Sequence, residues 1–141
     1  MSTLPAFAEI SENLGFLDDW EDRYRYLIEL GQMLPPLDDS EKTAASKVNG
    51  CVSQVWLVVD ENQTDGQTVL SFRGDSDAMI VKGLVAVLVA LYANRPPADV
   101  AKTDAIETLD QLGLREHLTS QRTNGLISMV NRIRAEAEAR S

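Results

Sequence analysis

The change of character at Gly50 constrains this chain more than any other feature of its 141 residues. From Asp38 to Asn49 the sequence is polar and without period. Gly50-Cys51-Val52-Ser53-Gln54-Val55-Trp56-Leu57-Val58-Val59 then turns β-branched and apolar, which reads as a loop delivering Cys51 to the start of a strand. Thr68 to Arg73 alternates polar and apolar residues as a half-buried partner strand does. The polar run Asp60 to Gly66 reads as the hairpin connection, giving an antiparallel pair over about 52–59 and 68–73. A sheet this small needs helices on at least one face to bury its apolar side.

Those helices are legible on both sides. Trp20, Tyr24, Leu27, Ile28, Gly31 and Leu34 recur at three- and four-residue steps, one apolar face of a helix. Asp19 can cap it, Glu21 can pair with Arg25, and Pro35-Pro36 stops it. A shorter helix spans about Ala6 to Leu14, ended by Gly15. The apolar segment Ala78 to Ala93 has Val enough for a strand, but its length and the acidic residues before it argue for a buried helix. Asp75 and Asp77 are read as its caps. Pro96-Pro97 opens a short turn. Asp104 and Glu107 mark a first helical turn on a segment that Gly113 ends, and the last helix begins near Thr119 or Ser120 with Leu126, Met129, Val130, Ile133 and Ala137 on one face. Trp20 and Trp56 are assigned to the core. The fold class is α+β, a small antiparallel sheet packed by several α-helices, in a single domain over residues 1–141.

Charge narrows the partners. A formal net charge of −9 repels phosphate backbones and anionic lipid headgroups, which speaks against nucleic acid and membrane surfaces. Ten Asp and Glu against three Lys and Arg lie between Met1 and Ala45, a solvated acidic face to which a basic partner would be drawn. The most apolar stretch, Ala78 to Ala93, is 16 residues long and contains Lys82, too short and too charged for a membrane span. No basic flank and apolar run of a signal peptide opens the chain, and one Cys cannot form an internal disulfide. The expected location is cytoplasmic.

Inventory removes most catalytic constellations. One Cys and one His do not make a zinc site, and no Walker or G-x-G-x-x-G loop is present. Cys51 remains. A lone cysteine is ordinarily a small buried hydrophobe. Gly50, which allows close backbone approach, and the polar loop ahead, which can expose the thiol, point the other way.

Asn49-Gly50-Cys51-Val52-Ser53-Gln54-Val55-Trp56 resembles the cysteine segment of the SufE family of sulfur-acceptor proteins. Trp20-Glu21-Asp22-Arg23-Tyr24 leading to Leu30-Gly31-Gln32 and Leu34-Pro35 is similar to that family's N-terminal helix. Gly74-Asp75-Ser76-Asp77-Ala78 with Ile80-Val81-Lys82-Gly83-Leu84 resembles its central motif, and Leu118 with Gln121-Arg122-Thr123-Asn124-Gly125-Leu126 its C-terminal one. The departures are minor: Val52 stands where relatives often have Gln or Glu, and Asn124 where some have Gln. Four motifs in the right order cover nearly the whole chain.

The resemblance implies that Cys51 takes sulfur as a persulfide from a PLP-dependent cysteine desulfurase of the SufS/CsdA kind, and stimulates that enzyme without independent turnover of its own. The sulfur would pass toward iron-sulfur cluster assembly, with a SufBCD-like scaffold complex as recipient. No cofactor and no metal are implied on this chain. The family further implies a cysteine at a loop tip, tucked against apolar surface and swung out on docking, with residues 45–53 as the moving element. Gly50, Ser53, Arg122 and His117 are the expected transfer interface. Arg122 could stabilise a thiolate or persulfide, or else serve as a helix-start ion pair. His117 could polarise a neighbour or simply pack near a helix end. Delivery to another sulfur acceptor, a thiol redox protein using Cys51, a scaffold that ligates clusters itself and a binding module without chemistry are the alternatives; a single Cys weakens the redox and scaffold readings.

Overall fold

A computed structural model describes residues 4–51, 53–114, 116 and 118–140. Six helices and one antiparallel hairpin follow in the order α1 (Phe7–Gly15), α2 (Trp20–Gln32), β1 (Val55–Thr64), β2 (Gln67–Ser76), α3 (Met79–Tyr92), α4 (Pro97–Lys102), α5 (Ala105–Gln111) and α6 (Ser120–Glu138). The chain is α+β with a small hairpin, as the pattern required.

The hairpin is longer and begins later than the residue pattern suggested. Val55 pairs with Ser76 and the ladder runs to Thr64 opposite Gln67, so Asp60 to Thr64 is strand and only Asp65-Gly66 is turn. Both turn residues have positive φ, 52° and 77°, the backbone of a two-residue type I′ turn that Asp-Gly favours. The polar residues misled because the outer half of β1 is exposed on both faces. A strand projecting beyond the helices keeps its ladder but loses its apolar alternation. At the other end Ser53 and Gln54 precede the ladder, and Val52 lies outside the described residues.

Helix α3 is the centre of the molecule. It packs on α2 on one side and β2 on the other, so it is apolar nearly all round, with Ile80, Val81, Leu84, Val85, Val87, Leu88 and Leu91 buried. Two glycines set its depth. A Cβ on Gly74 would sit 2.6 Å from Val85 Cγ1, and one on Gly83 would sit 2.2 Å from the Leu27 carbonyl oxygen. The inward face of the hairpin, Val55, Leu57, Leu70 and Phe72, closes the core, and the Phe72 ring meets Tyr92 edge-on at 6.0 Å between centroids.

Several local assignments change. Asp75 and Asp77 do not cap α3, whose N-cap position is Ala78, a residue with no capping side chain. Asp75 lies in β2, 6% exposed, between Lys42 and Lys82, each 3.4 Å away. Asp77 accepts from the Gln54 N–H instead. Trp56 is not core: β1 alternates, so Val55 and Leu57 face inward while Trp56 faces out under the Lys42 ammonium, 5.2 Å from the ring centroid. Trp20 packs half-buried against the core edge. Arg25 approaches Asp22 rather than Glu21, at an exposed 3.9 Å. Pro97 starts the short helix α4 rather than a turn, since a proline at the first position needs no N–H partner. Asp19, Asp104 and Thr119 cap α2, α5 and α6.

Candidate functional site

Cys51 sits at the tip of a loop folded back along β1. Val48 donates its N–H to Val55 O at 2.8 Å, and the Leu57 N–H reaches Ser46 O at 2.9 Å. On the far side Gln54 is fastened twice, its N–H to Asp77 Oδ1 at 3.0 Å and its carbonyl to the Asp77 N–H at 3.3 Å. Between these anchors, residues 49–53 have no backbone partner in the sheet among the described residues. The tight return is made at Gly50, whose φ of +93° suits glycine. A Cβ there would lie 2.5 Å from Ser128 Oγ, so Gly50 is required by its conformation and also lets the loop lie close against α6.

The thiol leans on the same helix. Cys51 Sγ donates to Gly125 O at 3.5 Å, and Gly125, buried in α6, leaves the space that a larger side chain would take. Cys51 is half-buried and packs against core residues. Burial pushes its thiol above the ordinary pKa, because a thiolate there would lose solvation without gaining a cation in contact. In this position the group is mostly a neutral thiol at pH 7.

Beside Cys51 opens a cavity of about 290 Å³. Its floor is apolar, with Val81 and Leu84 from α3 and Met129 from α6. Its rim is polar, with Ser53 from the loop and Thr119, Gln121 and Arg122 from the start of α6. Arg122 is half-buried at the rim of this cavity. Of the residues singled out in the sequence, Cys51, Ser53 and Arg122 thus meet at one cavity and Gly50 shapes the loop beside it. His117 lies outside the described residues. Val81, Leu84, Thr119, Gln121, Gly125 and Met129 were not singled out individually. Gly125, a glycine inside a helical pattern, is the one whose own residue type carried a signal.

Among the described residues, no cluster of three or more His, Cys, Asp or Glu side chains could hold a metal ion. No helix among them is long and apolar enough to cross a membrane. What the site offers is one thiol on a short tethered loop, a small apolar recess beside it and a guanidinium at the rim. Such a group can exchange sulfur once it is deprotonated and reached in line.

Comparison with known proteins gives a consistent result. Residues 8–137 match the SufE family, described as an Fe-S metabolism associated domain. An uncharacterized SufE-like protein of Rhizobium etli is 52% identical over 133 residues, covering 94% of this chain and 90% of the relative. Another from Rhizobium meliloti is 47% identical over 132 residues, covering 94% of each. In structure the chain is similar to a hypothetical protein of Thermus thermophilus solved in solution, with a TM-score of 0.70, 22% identity, and 97% of this chain and 96% of that one covered. That likeness concerns the fold.

Proposed function

This chain belongs to the SufE family of domains associated with Fe-S metabolism, and from that membership we propose that it is a persulfide carrier on Cys51. It accepts sulfur from a PLP-dependent cysteine desulfurase, stimulates that enzyme by removing its product, and delivers the sulfur toward cluster assembly. The observation that carries this reading is the thiol at the tip of a short tethered loop, beside a recess whose rim bears Arg122.

The chemistry is exchange without net oxidation. The Cys51 thiolate attacks the outer sulfur of the desulfurase's Cys–S–SH. The donor's S–S bond breaks as the new one forms on Cys51 Sγ, the donor cysteine leaves as a thiolate, and the proton released by Cys51 replaces the one the donor thiolate takes up. Only the deprotonated thiol is a nucleophile. In the tucked position burial keeps it neutral, so exposure on docking is also activation: solvent, or a cation of the partner, stabilises the thiolate as the tip swings out.

After transfer the tip returns. The added sulfur lies about 2.05 Å from Sγ, and the recess of about 290 Å³ accommodates it. There the apolar floor keeps water and reductants from the outer sulfur, while Arg122 at the rim offsets the charge of a persulfide anion. Ser53 and Gly50 form the transfer face with Arg122. A SufBCD-like scaffold is the proposed recipient. A lone thiol suits the task, because a second one within reach would resolve the persulfide to a disulfide and release sulfide.

The test is intact-mass spectrometry after incubation with a cognate cysteine desulfurase and L-cysteine. The expected result is a gain of one sulfur atom that a reductant removes and that Cys51→Ser abolishes. No gain on the wild-type chain, with a desulfurase shown to be active, overturns the carrier reading.

A further inference from the structure

The loop that bears Cys51 is joined to α6 at two levels. At the tip are the Cys51–Gly125 contact and the close approach of Gly50 to Ser128. At the stem is one side chain, Arg132, a further turn along α6. Its guanidinium donates from Nη1 to Lys47 O at 3.0 Å and from Nη2 to Ala45 O. Its Nε meets Glu136 Oε1 at 3.3 Å, one turn further on, which orients the fork. Among the described residues no other hydrogen bond joins residues 45–48 to α6. Of the stem's other bonds, Val48 to Val55 and Leu57 to Ser46 go to β1, while Ser46 and Lys47 bond locally to Glu41 and Thr43.

We propose that Arg132 is a positioning residue that fastens the stem of the Cys51 loop to α6, confining the motion that exposes the thiol to residues 49–53. A planar guanidinium suits this task because two parallel N–H donors can hold two carbonyls of one strand of chain at a fixed angle, which a single ammonium cannot. Both carbonyls belong to residues whose alternate neighbours are already committed to β1. Arg132 therefore locks the β1-bound stem and the α6-bound tip into one register. Without it the stem is held by β1 and its own turn alone, and the opening motion extends back into residues 45–48. The inference rests on Cys51 being the reacting group, and it narrows the moving element from residues 45–53 to the five residues between Val48 and Gln54.

The test is the rate of Cys51 alkylation by iodoacetamide at fixed pH, with no sulfur donor present, on the full chain as wild type, Arg132→Ala and Arg132→Lys. Alkylation of a tucked thiol tracks the population in which it is exposed. Arg132→Ala is expected to react about five- to tenfold faster, and Arg132→Lys, with one donor group in place of the fork, about threefold faster. Amide exchange of Val48 and Leu57 is expected to rise in Arg132→Ala, because their bonds hold the stem that the guanidinium no longer fastens to α6. A purely structural Arg132 would lower Tm and leave alkylation within twofold of wild type, and that result overturns the proposal. Should Arg132→Ala not fold, the lysine variant decides alone: a wild-type alkylation rate refutes the clamp. The assay needs no desulfurase, so its outcome is separate from whether Cys51 carries sulfur.

Discussion

Cys51 Sγ and the carbonyl oxygen of Gly125 lie 3.5 Å apart across the seam between the loop and α6. A Cβ built on Gly125 would stand 3.5 Å from the sulfur, an ordinary van der Waals contact. Gly125→Ala is therefore expected to leave Cys51 tucked, and to stabilise by up to about 1 kcal/mol because glycine is disfavoured inside a helix. Gly125→Val adds γ-carbons that must compete with the thiol for one space. It should push the tip out and raise iodoacetamide reactivity severalfold. Equal reactivity of the valine and alanine variants would show that the thiol does not rest on this helix.

The pH behaviour of Cys51 follows from its burial. The folded pKa is raised, so above the unfolded value of about 8.5 the unfolded chain releases a proton that the folded one retains, and stability falls as pH rises through that window. Below pH 8 the effect is absent. Urea midpoints measured from pH 7 to 10 should decline more steeply for wild type than for Cys51→Ser. The alkylation profile of the wild-type protein should have its midpoint above that of a free cysteine; a midpoint at or below it contradicts the tucked thiol.

Gly83 is the point where α2 and α3 touch backbone to backbone. A Cβ would fall 2.2 Å from Leu27 O and 2.7 Å from Leu27 C, and a Cβ on Gly31, at the same crossing, would fall 2.8 Å from Gly83 N. No flexible side-chain end is available to yield, so Gly83→Ala must separate the helices. It is expected to cost about 3 kcal/mol or more, at the upper end of overpacking effects. Chemical denaturation returning a loss under about 1 kcal/mol would mean that the crossing is looser than this.

Asp75 ties β2 to α3 and to Lys42 through charge. Burial alone would raise its pKa, but the Ser76 N–H, Lys82 and Lys42 together bring it below the ordinary value. Its contribution is thus present above the unfolded pKa of about 3.9 and is lost as pH falls through the lower folded value. Asp75→Asn should lose about 1–3 kcal/mol at pH 7, by analogy with other charged hydrogen bonds, and the gap to wild type should close toward pH 2–3. A gap that stays constant with pH would assign the loss to packing rather than charge.

Asp19 caps α2, α6 begins at Thr119–Ser120, and the apolar face of α6 is buried at each of its five assigned positions, whereas Asp104 caps α5 rather than lying in its first turn. Capping and helical period depend on residues within a turn or two of one another. The hairpin's outer half escaped because its residues are polar on both faces, although Asp65-Gly66 alone marks the turn. Asp75 and Asp77 resemble caps by position, yet one is buried between lysines from two distant segments and the other closes the Cys51 loop at Gln54. No local pattern distinguishes these outcomes.

The sequence by itself determined the α+β class, the places of the main helices, the singular thiol and, through four ordered motifs, the family. Each is fixed by the identity of a residue or by its spacing to near neighbours. Only the tertiary structure decided that Ser53, Arg122, Val81 and Met129 share one recess with Cys51, that Gly125 and Ser128 seat the loop tip, and that Arg132 reaches back to the carbonyls of residues 45 and 47. Arg132 lies 85 and 87 residues from the two carbonyls it reaches. Their meeting is set by how deeply α3 packs between α2 and the hairpin, and that depth is settled by backbone contacts at glycines, where no side chain announces it.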